Sequence, residues 1–219
     1  MRRGMVIDLK RCIGCYACQL ACKAEHGTPP GVFFARVLKQ EEGAYPSVRQ
    51  LFLPVLCNHC EEAPCVDACP TGASFKWEDG IVDIDHDKCV GCKTCMVACP
   101  YSAKYFNWRR YQQEGPGQNP DVSVRPKGVV EKCTFCHHRL QNARERASAE
   151  GRELAAGDYV PACAEVCPTR AMVFGDLGDP ASEVSRLARS PRAFRLLEEL
   201  GTRPKVVSLR EERKEEAVS

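Results

Sequence analysis

No stretch of this chain reaches the roughly 18 consecutive apolar residues that a membrane span needs. The longest apolar patch, Leu51 to Leu56, is broken by Pro54 and reads as a strand. No transmembrane segment is therefore expected, and any membrane attachment is expected through a partner. The N-terminal residues show no basic region followed by an apolar stretch and a cleavage site; Met5 to Asp8 reads as a first strand. Aromatic residues are scarce, 7% of 219, against 16 Gly and 15 Pro, which predicts a small core and much loop. Nucleophile elbow, phosphate loop, dinucleotide fingerprint and metal-hydroxide motif are all missing, so no catalytic residue is expected and the chain is not expected to be an enzyme on its own. No nucleic-acid partner is expected.

What the chain has in quantity is cysteine, 16 residues that fall into four sets of four. Cys12, Cys15, Cys18 and Cys22 form set one, and Cys89, Cys92, Cys95 and Cys99 form set three. Both read C-x2-C-x2-C-x3-C, the run that holds iron–sulfur cubanes in bacterial ferredoxins. Set two, Cys57, Cys60, Cys65 and Cys69, widens the middle gap; set four, Cys133, Cys136, Cys163 and Cys167, widens it much further. In such runs three closely spaced thiolates wrap one cubane, and the fourth serves a neighbouring one. Between sets two and three, Thr71 to Lys88 reads as strand, turn at Asp79-Gly80, and returning strand through Ile84, the texture of a ferredoxin's middle. Sets two and three should therefore pair, leaving sets one and four to pair around them.

An internal repeat supports this arrangement. Ile7 to Cys15 matches Ile84 to Cys92 in register, and Cys65 to Ala73 echoes Cys163 to Ala171. Zinc usually takes separated C-x2-C pairs, and a third cysteine three residues on crowds a tetrahedral site. A disulfide framework suits small secreted chains without a core. Four [4Fe-4S] clusters satisfy all sixteen thiols, with one three-iron cluster as the variant; no position demands it. The formal charge of +2 treats cysteine as neutral; with thiolates and four oxidised cores it becomes about −6. Lys10, Arg11, Lys23, Lys88, Lys93, Lys132 and Arg139 lie beside ligands in sequence, where positive charge favours the reduced cluster. A chain so dependent on clusters is expected to be largely unfolded without iron.

Elsewhere the sequence loosens. Gln112 to Gly128 reads as a surface loop, and His137 to Ala162 as a polar helix ending near Gly157. Ser182 to Ala188 and Pro191 to Leu200 are amphipathic and should pack back over the cluster domains, while Arg210 to Ser219 reads as a flexible tail. Tyr16, Phe75, Trp77, Tyr101, Tyr105, Phe106 and Trp108 are read as shielding around clusters.

Several segments carry a family resemblance: Cys57 to Cys65, Cys69 to Ala73, Glu131 to Cys136, Pro161 to Cys163, Phe174 to Leu177 and Gly201 to Lys205. Over residues 1 to about 208 the chain resembles the iron–sulfur B subunits of complex molybdopterin oxidoreductases. The likeness is greatest to polysulfide and respiratory arsenate reductase B subunits within the dimethyl sulfoxide reductase family. The resemblance implies a line of four clusters. Cluster one takes Cys12, Cys15, Cys18 and Cys167, on the catalytic side. Cluster two takes Cys133, Cys136, Cys163 and Cys22, and cluster three Cys57, Cys60, Cys65 and Cys99. Cluster four takes Cys89, Cys92, Cys95 and Cys69, on the membrane side, and is expected to hold four irons because Cys92 is a cysteine.

The implied partners are a large catalytic subunit with molybdenum or tungsten pterin and an integral-membrane quinone-reactive subunit. The implied location is the extracytoplasmic face of the cytoplasmic membrane, reached by co-export with the catalytic subunit; the cytoplasmic face is the alternative. Polysulfide, thiosulfate, tetrathionate, arsenate and sulfoxides all stay open as substrates of the complex. A stand-alone cytoplasmic polyferredoxin is the alternative function. The expected fold is α+β and loop-rich: two interleaved bacterial-ferredoxin-like modules of short antiparallel strands and short helices. Residues 1–50 and 127–180 form the outer module and 51–111 the inserted inner one. A surface loop at 112–126, C-terminal helices within 181–209 and a tail at 210–219 complete the division.

Overall fold

The computed structural model describes residues 1–109, 119–122 and 126–211. The chain enters through β1 (Arg3–Asp8), buried along its whole length. That burial is two-sided. Met5 and Ile7 join a main core with Phe34, Leu56, Phe135 and Leu140, while Val6 faces a second cluster with Val184, Val207 and Leu209. An inner strand with apolar residues on both faces is the form expected where alternation is absent.

The first cysteine loop then runs into α1 (Ala17–His26), followed by a long hairpin of β2 (Ala35–Ala44) and β3 (Ser47–Leu56), paired from Ala35↔Leu56 to Ala44↔Ser47. One turn of helix, α2 (Pro64–Asp67), leads to the small hairpin of β4 (Ser74–Lys76) and β5 (Val82–Ile84), with Gly80 at positive φ in the turn. The strand, turn and strand expected between sets two and three are present. After α3 (Thr94–Val97), β6 (Tyr105–Phe106) pairs with β7 (Val130–Glu131). Then come α4 (His137–Ala149), α5 (Ala162–Glu165), β8 (Met172–Asp176), α6 (Glu183–Ala188), β9 (Ala193–Phe194) and β10 (Val206–Leu209).

The largest sheet has the order β8-β1-β10-β9, with β10 parallel and β8 antiparallel to β1. Two expectations are corrected here. The region 181–209 holds one α-helix, α6, and not a pair: Pro191 to Leu200 supplies the short β9 and a single 3-10 turn at Glu198–Leu200. Its amphipathic spacing serves strand pairing, since Phe194 lies opposite Ser208. The polar helix α4 ends at Ala149, well before Gly157, because Gly151 at φ 67 reverses the chain. Gly115 to Gly117, at the heart of the expected surface loop, and all but Arg210 and Glu211 of the expected tail lie outside the described residues. Among the described residues no helix is long and apolar enough to cross a membrane.

Candidate metal centre

The four cysteine sets adopt one local construction. In each, the residue before the second cysteine is left-handed: Gly14, His59, Gly91 and Phe135. In each, the third cysteine is the second residue of a helix: Cys18 in α1, Cys65 in α2, Cys95 in α3 and Cys163 in α5. Beyond the fourth cysteine, sets two, three and four share a turn in which the N–H of Gly72, Ser102 and Arg170 donates to the carbonyl of Cys69, Cys99 and Cys167. All three turning residues have positive φ, and all three sets place Pro directly after the cysteine, where it stops the helix. Set one has Lys23 there instead, and α1 runs a further turn to His26. The imidazole of His26 comes to 3.4 Å from the Cys136 thiol, a contact from set one to set four that the sequence does not signal.

All sixteen thiols are free. Their electrostatic neighbours cross between sets. Cys12 and Cys18 both interact with Cys15 and Cys167. Cys22 interacts with Cys133, Cys136 and Cys163. Cys99 joins Cys57, Cys60 and Cys65, and Cys69 joins Cys89, Cys92 and Cys95. Further contacts link Cys18 to Cys163, Cys133 to Cys57, and Cys65 to Cys95. Exposed thiols occur only in the two outer groups, at Cys15 and Cys92, whereas Cys22, Cys133, Cys136, Cys163, Cys57, Cys60, Cys65 and, beside Cys92, Cys95 are buried.

Burial, reinforced by neighbouring thiols, pushes Cys18 up to about 11 and Cys60 and Cys136 up to about 12, and raises Cys12, Cys65, Cys95, Cys133 and Cys163. So many thiols become thiolates together only against a strongly cationic partner, whose binding releases their protons. Three thiols are lowered. At Cys69 and Cys167 burial works against ionisation, but hydrogen bonds around Ser74 and Thr71, and around Met172, Thr169 and Ala171, outweigh it. At Cys92 the Thr94 hydroxyl donates from 3.4 Å. Backbone N–H groups of His59, Ser74, Phe135 and Ala171 donate to the sulfurs of Cys57, Cys69, Cys133 and Cys167. Donors to sulfur stabilise a ligand thiolate and tune a cluster. A donor set of thiols only, with hydrogen-bond donors aimed at the sulfurs of Cys57, Cys69, Cys92, Cys133 and Cys167, fits iron–sulfur clusters. Among the described residues no three His, Cys, Asp or Glu side chains gather as closely as a single metal ion requires.

The cations expected beside ligands divide by environment. Lys23 donates to the carbonyls of Thr28, Pro29 and Val32, Lys88 pairs with Asp85, and Lys93 lies over the rings of Phe106 and Trp108. Arg139 grips Glu25 at 2.6 Å and Glu165. Lys132 alone of these is buried, donating to the carbonyls of Val82 and Cys133. Lys104, also buried, interacts with Cys65 and Cys95 and was not singled out by the sequence. Of the histidines beside a ligand, His137 stacks on Trp77 and His138 bonds Glu25. Trp108 is exposed, so its expected shielding role is corrected; it carries Lys93 instead.

Comparison with known proteins agrees with this chemistry. Models of the 4Fe-4S dicluster domain match residues 11–74, 48–115 and 88–171. The menaquinone reductase iron–sulfur cluster-binding subunit of Nitratidesulfovibrio vulgaris is 45% identical, over 94% of this chain and 88% of that protein. A putative dimethyl sulfoxide reductase iron–sulfur subunit of Halobacterium salinarum is 43% identical, over 92% and 76%. The arsenate respiratory reductase iron–sulfur subunit of a Shewanella species is 39% identical, over 96% and 97%. The chain belongs to the family of [4Fe-4S] electron-transfer subunits of molybdopterin-type reductase complexes.

Proposed function

We propose that this chain carries four [4Fe-4S] clusters in a line and relays electrons between a molybdenum or tungsten pterin catalytic subunit and a quinone-reactive membrane subunit. The observation that carries this reading is that the exposed thiols, Cys15 and Cys92, fall in the two outermost of the four coupled groups, while no thiol of the two inner groups is exposed. Each cluster, when bound, supplies a one-electron couple. Cys12, Cys15, Cys18 and Cys167 would hold the first, and Cys133, Cys136, Cys163 and Cys22 the second. Cys57, Cys60, Cys65 and Cys99 would hold the third, and Cys89, Cys92, Cys95 and Cys69 the fourth. The crossings Cys18 to Cys163, Cys133 to Cys57 and Cys65 to Cys95 support that order. In this reading residues 1–50 and 127–180 make an outer ferredoxin-like module around an inner one at 51–111, with β3 carrying the chain across the junction.

The two open ends present similar surfaces. Ile13 and Leu20 are exposed near Cys15, and their repeat counterparts Val90 and Val97 near Cys92. Exposed apolar residues around an accessible redox end suit a partner that excludes water there. The names of two relatives, a menaquinone reductase subunit and a menaquinol oxidoreductase subunit, support a quinone link. We place the complex on the extracytoplasmic side of the membrane, with the substrate set by the catalytic subunit. The test is anaerobic native isolation from source membranes with metal analysis. About sixteen irons per chain, together with molybdenum or tungsten in a larger co-purifying protein, is expected. The same iron with no pterin protein would replace this reading with the free polyferredoxin.

A further inference from the structure

Five residues beyond the fourth cysteine, the four sets carry Gly27, Ser74, Lys104 and Met172. Ser74, Lys104 and Met172 are all buried, and only Lys104 has an ionisable side chain. Lys104 is 4% exposed. Its ammonium donates to the Ser74 hydroxyl at 3.4 Å, and among the described residues no Asp or Glu pairs with it. Its charge acts on both the Cys65 and the Cys95 thiol, and the Ser74 backbone N–H donates to the Cys69 sulfur. A buried cation without a counter-charge is strongly destabilising, and the negative charge it faces here is that of the thiolates.

We propose that Lys104 is a fixed charge at the junction of the third and fourth thiol groups that makes those two clusters, and not the first two, easier to reduce. The proposal rests on the four-cluster reading above. Reduction adds one negative charge to a cluster, and a nearby cation screened by little water stabilises that state more than the oxidised one. The Ser74 hydroxyl holds the ammonium in place, so its effect is shared between Cys65 and the Cys95 and Cys69 side. Lys132 adds a similar charge nearer Cys133 and Cys65; among the described residues the buried lysines are Lys104, Lys132 and Lys205, and none of them is among the charges that act on Cys12 or Cys18.

The experiment is an anaerobic redox titration of the complex followed by electron paramagnetic resonance, with Lys104→Met, Lys104→Gln and Lys104→Arg beside the wild type. In both neutral variants two of four midpoints should fall by at least tenfold in the reduction equilibrium, about 59 mV each. Lys104→Arg should keep all four near the wild-type values. Unchanged midpoints in the neutral variants, or an equal fall in all four, would overturn the proposal. So would loss of iron from both neutral variants, which would make Lys104 an assembly residue. A wild type without four one-electron steps would instead sink the four-cluster reading itself.

Discussion

His59 stacks on Phe135 with ring centroids 3.9 Å apart and planes 21° from parallel. The two hold the same place in their loops, directly before the second cysteine of set two and of set four, and both are left-handed and completely buried. Phe135 also meets Phe174 edge-on, and His59 Nδ1 accepts the Val82 N–H at 3.1 Å. One ring pair thus fastens two cysteine loops together and ties both to β5 and β8. Replacing Phe135 with Ala should cost about 3–5 kcal/mol, the range for a buried phenylalanine, and it should release iron from sets two and four ahead of the others on heating. Iron loss evenly spread over the sets would argue against this coupling.

His59 should make stability pH-dependent near neutrality. Burial, followed by the charges of Lys132, Lys205 and Lys104, holds its imidazole well below the usual value, so the folded chain keeps it neutral. Below about pH 6.5 the unfolded chain takes up a proton that the folded chain refuses. Stability is therefore full above about 6.5 and declines beneath it, by up to about 1.4 kcal/mol per pH unit. His59→Phe, which keeps a ring but loses the acceptor for Val82, should be less stable at pH 8 and show a flatter decline. Denaturant midpoints of the cluster-loaded protein between pH 8 and 5 measure both; parallel curves would exclude His59 as the source.

Glu25 is also held below its ordinary value, but there the charged form is the one the fold favours. Hydrogen bonds from Arg139 and then His138 hold its carboxyl down to about 2. Its contribution is thus present above the ordinary carboxylate range near 4.5 and lost as pH falls from there toward 2. The stability difference between wild type and Glu25→Gln should be constant from pH 8 to 5 and shrink below about 4.5. A difference that persists undiminished at pH 3 would mean that packing, not charge, is what Gln loses.

Gly14 and Gly91 occupy matching places with φ near +66 and +69, yet their surroundings differ. A methyl at Gly14 would collide with the Phe52 ring; at Gly91 it would collide with the Gly128 carbonyl oxygen. A ring can swing away, but a backbone carbonyl in a turn cannot do so cheaply. Both Ala variants carry the left-handed strain of about 1 kcal/mol. Gly91→Ala should nonetheless lose more bound iron, and Phe52→Ala should restore iron to Gly14→Ala only. Equal iron in the two single variants would show that conformation, not contact, dominates.

The sequence disclosed the parts of this fold that are local. Cysteine spacing marks all four loops, and the β-branched residues of β1 and β5 mark strands that the structure contains. It failed where partners are distant. Val206 to Leu209 is too short to announce itself, yet it lies in the middle of the main sheet beside β1, some 200 positions away. His26 carries no signal in the sequence, and only the fold brings it to Cys136. Lys104 lacked any signal, because a lysine is normally a surface residue, and its burial depends on β4 and the loops of sets two and three closing around it.

Cys92 offers the sharpest test of the proposed line. It is exposed, receives the Thr94 hydroxyl, and interacts with Cys69 of the preceding set. If it holds one corner of the last cluster, Cys92→Ser should remove one iron and leave a three-iron centre visible when oxidised. In the proposed grouping the other three clusters take no ligand from Cys92, so they should keep their spectra. Turnover linked to quinone should slow, because in the proposed line the altered centre is the one that faces the quinone-reactive partner. Turnover with an artificial dye that reaches the catalytic subunit directly should stay close to wild type. Both assays can be run on one preparation of the complex. Equal loss of both activities would remove Cys92 from the membrane-side end and reverse or break the order of the line.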